Sequence, residues 1–278
     1  MHNMKTFMLM LTLTIVFILL GGAIAGESGM VTAFIFALVL NFISYWNSDK
    51  IAIKMTKSKP LSEQEAPEVY QSVRKLTNKA KMPMPDIYLT PSDQPNAFAT
   101  GRNPQNSAIA VTKGLIELLN QKELEGVLAH ELAHIKNRDT LISTLVAVMA
   151  GALAFLARMG RFRMIFGGRR RSKGGGLVQL LAIIFAPLAA ILIKMAISRS
   201  REYLADESGA RIAGTSEGLA SALQKMNSYV QGREMQVNEA ASHMFILNPL
   251  SGKSGGFSNL FRSHPPTEER IARLKKVR

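Results

Sequence analysis

The chain has no cysteine among its 278 residues. Disulfides, thiolate metal sites and cysteine nucleophiles are therefore excluded, and any metal must be held by histidine and carboxylate. The same absence agrees with a reducing cytoplasm. Acidic residues are few, 20 Asp and Glu against 34 Lys and Arg, for a net charge of +14. Seven of the cations (Arg158, Arg161, Arg163, Arg169, Arg170, Arg171 and Lys173) crowd into one loop between apolar runs. Basic residues beside membrane spans ordinarily contact lipid headgroups or set topology. No nucleic-acid-binding motif accompanies the charge, so no nucleic-acid partner is expected.

What the sequence does have is four long apolar runs, roughly residues 5–25, 30–47, 140–157 and 177–197. Each is long enough for a hydrocarbon core about 30 Å thick at about 1.5 Å per residue. The expected fold is an α-helical integral membrane protein with about four transmembrane helices and an α+β catalytic domain. Residues 1–47 form two N-terminal spans, and 48–139 the first half of the catalytic domain. Residues 140–197 form two further apolar helices, spanning or folded as a hairpin around the basic loop 158–176, and 198–278 complete the domain. Ala23-Ile24-Ala25 before Gly26 also allows a cleavable signal peptide, but a second run follows too soon for that reading to be preferred. The turn 26–29 carries no cation, whereas Lys50, Lys54, Lys57 and Lys59 follow the second run. This bias places 48–139 in the cytoplasm, as part of a multi-pass protein of the plasma membrane. If runs three and four both cross, the basic loop lies outside, against the same rule.

Residues 122–138 read KELEGVLAHELAHIKNR, with Leu124, Leu128, Leu132 and Ile135 at helical spacing. That stripe should be buried. At about 100° per residue, His130 and His134 leave the helix on the opposite face, towards a cleft. One turn apart, their imidazoles can take two corners of a zinc tetrahedron. Glu131, beside the first of them, can reach a water at the open corner and act as general base.

A catalytic zinc usually has three protein ligands. The segment SRSREYLADESGARIAG, residues 198–214, offers Glu202 and Asp206 four apart on one helical face. Glu202 can bind the ion while Asp206 accepts the second N–H of a liganding imidazole. His243, His264 and Asp139 are alternatives, and pairing with Arg199, Arg201 or Arg211 would make the two acids a solvated face.

DIYLT (86–90), NAFATG (96–101) and SAIAVT (107–112) read as short strands of a small antiparallel sheet. An edge strand could pair with an extended substrate, and Asn96, Ala97, Phe98 and Ala99 are assigned that role, although packed strand residues would look the same. His264 precedes Pro265-Pro266 and a charged helix, TEERIARLKKVR, after a Gly/Ser-rich stretch over 251–263.

HELAH, two apolar runs, SRSREYLADESGA, the NAFATG stretch and the C-terminal HPPTEERIARL together resemble the HtpX-type membrane metalloproteases, relatives of the CAAX prenyl proteases. The similarity covers nearly the whole chain, with the basic loop the one departure. It implies a zincin-like cytoplasmic domain with one Zn2+ per chain on His130, His134 and Glu202. It also implies Glu131 as the catalytic carboxylate, Asp206 as the supporting acid and His264 as a catalytic donor to the oxyanion. The implied substrates are misfolded or unfolded membrane polypeptides met beside membrane lipids, in quality control under stress. Two other classes compete: a non-catalytic scaffold with a structural zinc, disfavoured by an intact Glu131, and a metal transporter, disfavoured by the few polar residues within the runs.

Overall fold

Gly26, with φ of +61°, turns the first helix back on itself. The computed structural model describes residues 2–148, 199–230, 244–247 and 265–277. Its first element, α1 (His2–Trp46), consists of two antiparallel arms. The Asn41 amide donates to the Met10 carbonyl at 3.3 Å and to Thr14 Oγ1 at 3.0 Å, and Phe17 meets Phe36 edge to face. Such contacts across about 20 to 30 residues require a fold-back, since a straight helix of that length would hold its ends about 30 Å or more apart. A Cβ at Gly21 would strike the Gly29 carbonyl, so the arms approach closely where both residues are small.

Of the eighteen exposed large apolar side chains among the described residues, sixteen belong to α1. That outward apolar face is the reverse of a water-soluble surface. Gly26–Trp46 is the one described helix long and apolar enough to cross a bilayer, and the apolar part of the other arm, Thr6–Leu19, is shorter. The expected count of four spans is thus met by one segment among the described residues. Most of the third run, the basic loop and the fourth run lie outside them. The start of the third run, α6 (140–148), packs Leu141, Ile142, Leu145 and Val146 against Leu13, Phe17 and Ala37 of α1.

A short helix, α2 (Ser48–Met55), leads from the hairpin into a four-stranded sheet of β1 (Lys59–Pro60), β2 (Asp86–Thr90), β3 (Ala97–Asn103) and β4 (Asn106–Thr112). The order is β1-β2-β4-β3, with β2 and β4 parallel and the other pairs antiparallel. The sheet is therefore mixed, not wholly antiparallel as expected. The tight β3–β4 turn fixes antiparallel pairing on one edge of β4, and β2 takes the other edge in the parallel sense. As an inner strand, β4 is buried along all but its first residue, as strands covered on both faces are. Ile109 and Val111 face the core beneath α3 (Pro67–Ala80), whereas Ala108 and Ala110 face α2, α6 and Phe245.

After α4 (Lys113–Leu118) comes α5 (Gln121–Lys136), started by a capping box in which Asn120 and Glu123 exchange side-chain-to-backbone bonds of 3.0 Å. Two further helices, α7 (Arg199–Ala213) and α8 (Glu217–Val230), pack across it. Both crossings use glycine. A Cβ at Gly126 would lie 2.3 Å from Leu219 N, and one at Gly209 would lie 2.9 Å from His130 Cα. The chain returns in α9 (Thr267–Leu274), against α7 and α8.

Candidate metal centre

Helix α5 buries its leucine stripe as expected, and its opposite face lines a small cavity, with His134 partly exposed and His130 and Glu131 enclosed. His130 is 1% exposed and Glu131 2%. The reason is small-residue packing: Gly209 lets the backbone of α7 settle on the backbone of His130. Glu202 and Asp206, one turn apart on α7, are thereby both buried against the two imidazoles.

His130 Nε2 and His134 Nε2 lie 3.2 Å apart. Glu202 Oε2 is 3.8 Å from His130 Nε2, and Glu202 Oε1 is 3.5 Å from His134 Nε2. Ligands about 2.0 to 2.1 Å from a tetrahedral zinc are about 3.3 Å apart, so three corners of the right size are present. At most one of two facing imidazole nitrogens can carry a proton in a neutral pair, so a cation between them and the carboxylate satisfies all three. Among the described residues this trio is the group able to hold a metal.

The supports of the two imidazoles differ. His130 Nδ1 lies 3.0 Å from Asp206 Oδ1, which fixes the proton on Nδ1 and leaves the Nε2 lone pair for a metal. Arg270 holds Asp206 through two bonds, Nη2 to Oδ1 at 2.7 Å and Nε to Oδ2 at 3.0 Å. Its Nη2 is 3.4 Å from both ring nitrogens of His130, so the guanidinium lies over the ring face and competes for neither lone pair. His134 Nδ1 faces Asp139 Oδ2 at 3.5 Å, long for a hydrogen bond.

Electrostatics follow from these contacts. Burial, with the Arg270 and His134 charges, lowers His130 to about 4 despite Asp206. Burial also lowers His134, but Asp139, Glu202 and Glu131 outweigh it and leave that imidazole at about 9. Glu131 rises to about 7, chiefly through burial and the nearby Glu202, while His134, Arg270 and the Ala99 N–H partly restrain it. Asp206 is lowered: burial opposes ionisation, but Arg270 and His130 prevail.

The structure thus brings together five residues read from sequence: His130, Glu131, His134, Glu202 and Asp206. Asp139, weighed as an alternative ligand, instead faces the far nitrogen of His134. Ala97, Phe98 and Ala99 do open the edge strand β3, and Asn96 directly precedes it, yet all four are buried. His264 and His243 lie outside the described residues. Sequence reading missed Arg270, fully buried in a helix that looks solvent-facing. One signal could have found it. Four carboxylates crowd the centre, Glu131, Asp139, Glu202 and Asp206, and one divalent ion leaves an excess of negative charge that calls for a buried cation.

Comparison with known proteins extends this picture. A model of the family described as Peptidase family M48 matches residues 63–278. The chain is 56% identical over 281 residues to a Protease HtpX homolog of Pelotomaculum thermopropionicum, spanning 100% of this chain and 99% of the relative. A Protease HtpX homolog of Thermococcus sibiricus is 51% identical, spanning 99% and 95%. Among solved structures, the crystal structure of S. mikatae Ste24p is similar with a TM-score of 0.53 at 18% identity, over 94% of this chain and 62% of that one. That likeness is one of fold, with a chain that extends well beyond the matched part.

Proposed function

The chain belongs to peptidase family M48 and is a zinc metallopeptidase, and from that premise we propose that it is a membrane-anchored endopeptidase that hydrolyses unfolded or misfolded membrane polypeptides. The observation that carries the reading is the Nε2–Nε2–carboxylate triangle of His130, His134 and Glu202 with the buried Glu131 beside it. His130, His134 and Glu202 would hold a zinc ion, which would supply Lewis acidity towards a water and the scissile carbonyl.

The protein's own groups do the rest. Glu131, poised near neutrality, takes the proton of the attacking water and passes it to the departing amine. Asp206 and Arg270 hold the His130 ring so that Nε2 stays an acceptor. A substrate in extended form pairs with Asn96, Ala97, Phe98 and Ala99 at the start of β3 and just before it. His264 is assigned the oxyanion donor. The apolar outer face of α1 supports the membrane anchor, and the lysines after Trp46 support a cytoplasmic catalytic face in a multi-pass protein. Tethering beside the bilayer raises the effective concentration of membrane clients, in keeping with a role in quality control.

The test is cleavage of unfolded casein by the detergent-purified full chain, with metal content assayed alongside. Glu131→Ala is expected to keep zinc and lose cleavage, by about 100-fold or more, and Glu202→Ala to lose both. Zinc-loaded Glu131→Ala that cuts as fast as wild type would overturn the mechanism.

A further inference from the structure

Residues 244–247 occupy the outer edge of β3. In that strand and at Asn96 before it, the backbones of Asn96, Phe98 and Thr100 turn towards β4, so those of Ala97, Ala99 and Gly101 turn outward. Of these outward groups, the Ala99 N–H serves Glu131 and the Gly101 carbonyl accepts from Thr140 Oγ1 at 2.8 Å. The Ile246 N–H donates to the Ala97 carbonyl at 3.0 Å. Asn96 completes the attachment through its side chain: the Leu247 N–H donates to Asn96 Oδ1 at 3.2 Å, and Asn96 Nδ2 donates to the Leu247 carbonyl at 2.9 Å. Phe245 packs edge to face on Phe98, ring centroids 5.0 Å apart. One main-chain bond with an apolar side chain as anchor is the beginning of the contact that an added strand makes with a sheet edge, made here by a bend and not by a strand.

The same residues close the metal centre. Met244, Phe245 and Ile246 wall the cavity that also contains His130, Glu131, His134 and Glu202. Its volume is about 30 Å³, room for a water or two and not for a peptide residue. Arg270 joins the two sides: Nη1 donates to the Ile246 carbonyl at 3.1 Å while the rest of the guanidinium grips Asp206.

Resting on the peptidase reading above, we propose that residues 244–247 are an internal occupant of the substrate's strand position, and that a polypeptide reaches the metal centre by displacing them from β3. An incoming extended chain can replace the main-chain bond to Ala97 one for one. A folded protein, whose amides are already paired, has nothing to exchange. The strap thereby restricts the site to unfolded or extended segments.

The experiment is hydrogen exchange on the full-length, zinc-loaded Glu131→Gln protein in detergent. The probe is oxidised insulin B chain, added at a concentration that competitively slows casein cleavage by wild type. The Ile246 and Leu247 amides should be protected in the free protein and exchange at least about tenfold faster with the peptide bound, while the α5 amides keep their protection. Unchanged or increased protection at 246 and 247 with the peptide bound overturns the proposal. In a second arm, Phe245→Ala and Ile246→Pro remove the anchor and the donor. Each variant that folds with its zinc content retained should raise kcat/KM for casein several-fold through a lower KM. Lost or unchanged cleavage in folded, zinc-loaded Phe245→Ala counts against the strap. If Ile246→Pro does not fold, exchange in the unsubstituted strap decides. The peptidase reading fails separately, when zinc-loaded wild type cuts neither casein nor the B chain.

Discussion

The two imidazoles of the centre stand four residues apart on one helix, yet they are held in opposite ways. His130, on the α7 side, is enclosed by Asp206 and by Arg270 over its ring, and burial keeps it neutral down to about 4. His134, on the α6 side, is 16% exposed at its side chain, faces Asp139 at 3.5 Å, and keeps a proton up to about 9. One side is thus a preset acceptor inside a charge-balanced network. The other is a proton-bearing group that must give its proton up when an ion binds. From this contrast, substitutions on the α7 side should damage the folded state first, and substitutions on the α6 side should change metal binding with the fold intact.

The strongest way to break that contrast is Arg270→Leu. It leaves Asp206 and Glu202 buried without their cation, and removing one partner of a buried pair costs about 3 to 5 kcal/mol. Denaturant unfolding of the zinc-free protein should show the loss. Arg270→Lys should recover only part of it, because an ammonium cannot make the two-pronged bond to Asp206. Next comes Gly209→Ala. Its Cβ would sit 2.9 Å from His130 N and Cα, and backbone cannot yield as a side-chain tip can. About 1 to 3 kcal/mol of overpacking is expected, together with weaker zinc binding, because α7 carries Glu202 and Asp206 away from α5. Equal zinc affinity in the variant and wild type would show that the crossing does not set the ligand geometry.

Asp139→Asn probes the other side. Loss of a carboxylate behind a liganding imidazole typically lowers metal affinity or activity by about 10- to 100-fold. Unfolding of the zinc-free protein should change by less than for Arg270→Leu. A stability loss as large as that of Arg270→Leu would erase the proposed difference between the sides.

These contrasts also mark what the sequence could show. Short-range spacing made the HELAH pair and the Glu202–Asp206 turn legible, because i and i+4 on a helix fix a shared face whatever surrounds it. Burial of His130 and Glu131 was not legible: hydrophobic periodicity marks them as polar and outward, whereas Gly209 lets α7 settle on the backbone of His130. Arg270 was hidden for a related reason. It lies 64 residues from Asp206 among Glu268, Glu269, Arg273 and Lys275, so its helix reads as solvated, and only Leu274 one turn on hints at an inward face. Strand positions in the sheet followed from alternation and turn residues, but alternation carries no information on pairing direction, and the parallel β2–β4 pair was missed. The 244–247 strap is too short to show a period at all.

The smallest expected effect, and the sharpest for the comparison, is the pH dependence of zinc binding. His134 sits at about 9 in the metal-free protein, above its ordinary 6.5. Its protonated form therefore stabilises the fold fully below about 6.5, and that contribution is lost as pH rises through about 9. His130, lowered to about 4, has the opposite sign: its contribution is complete above about 6.5 and is lost as pH falls through about 4. Between pH 7 and 8 only His134 must release a proton to accept an ion, so zinc affinity should rise about tenfold over that unit, or about 1.4 kcal/mol. Competition against a chelator at the two pH values measures it. Asp139→Asn removes a support of the His134 proton, so its slope should flatten, while substitutions around His130 should leave the slope alone. A slope that is equally steep in Asp139→Asn would mean that the proton released on zinc binding does not come from His134.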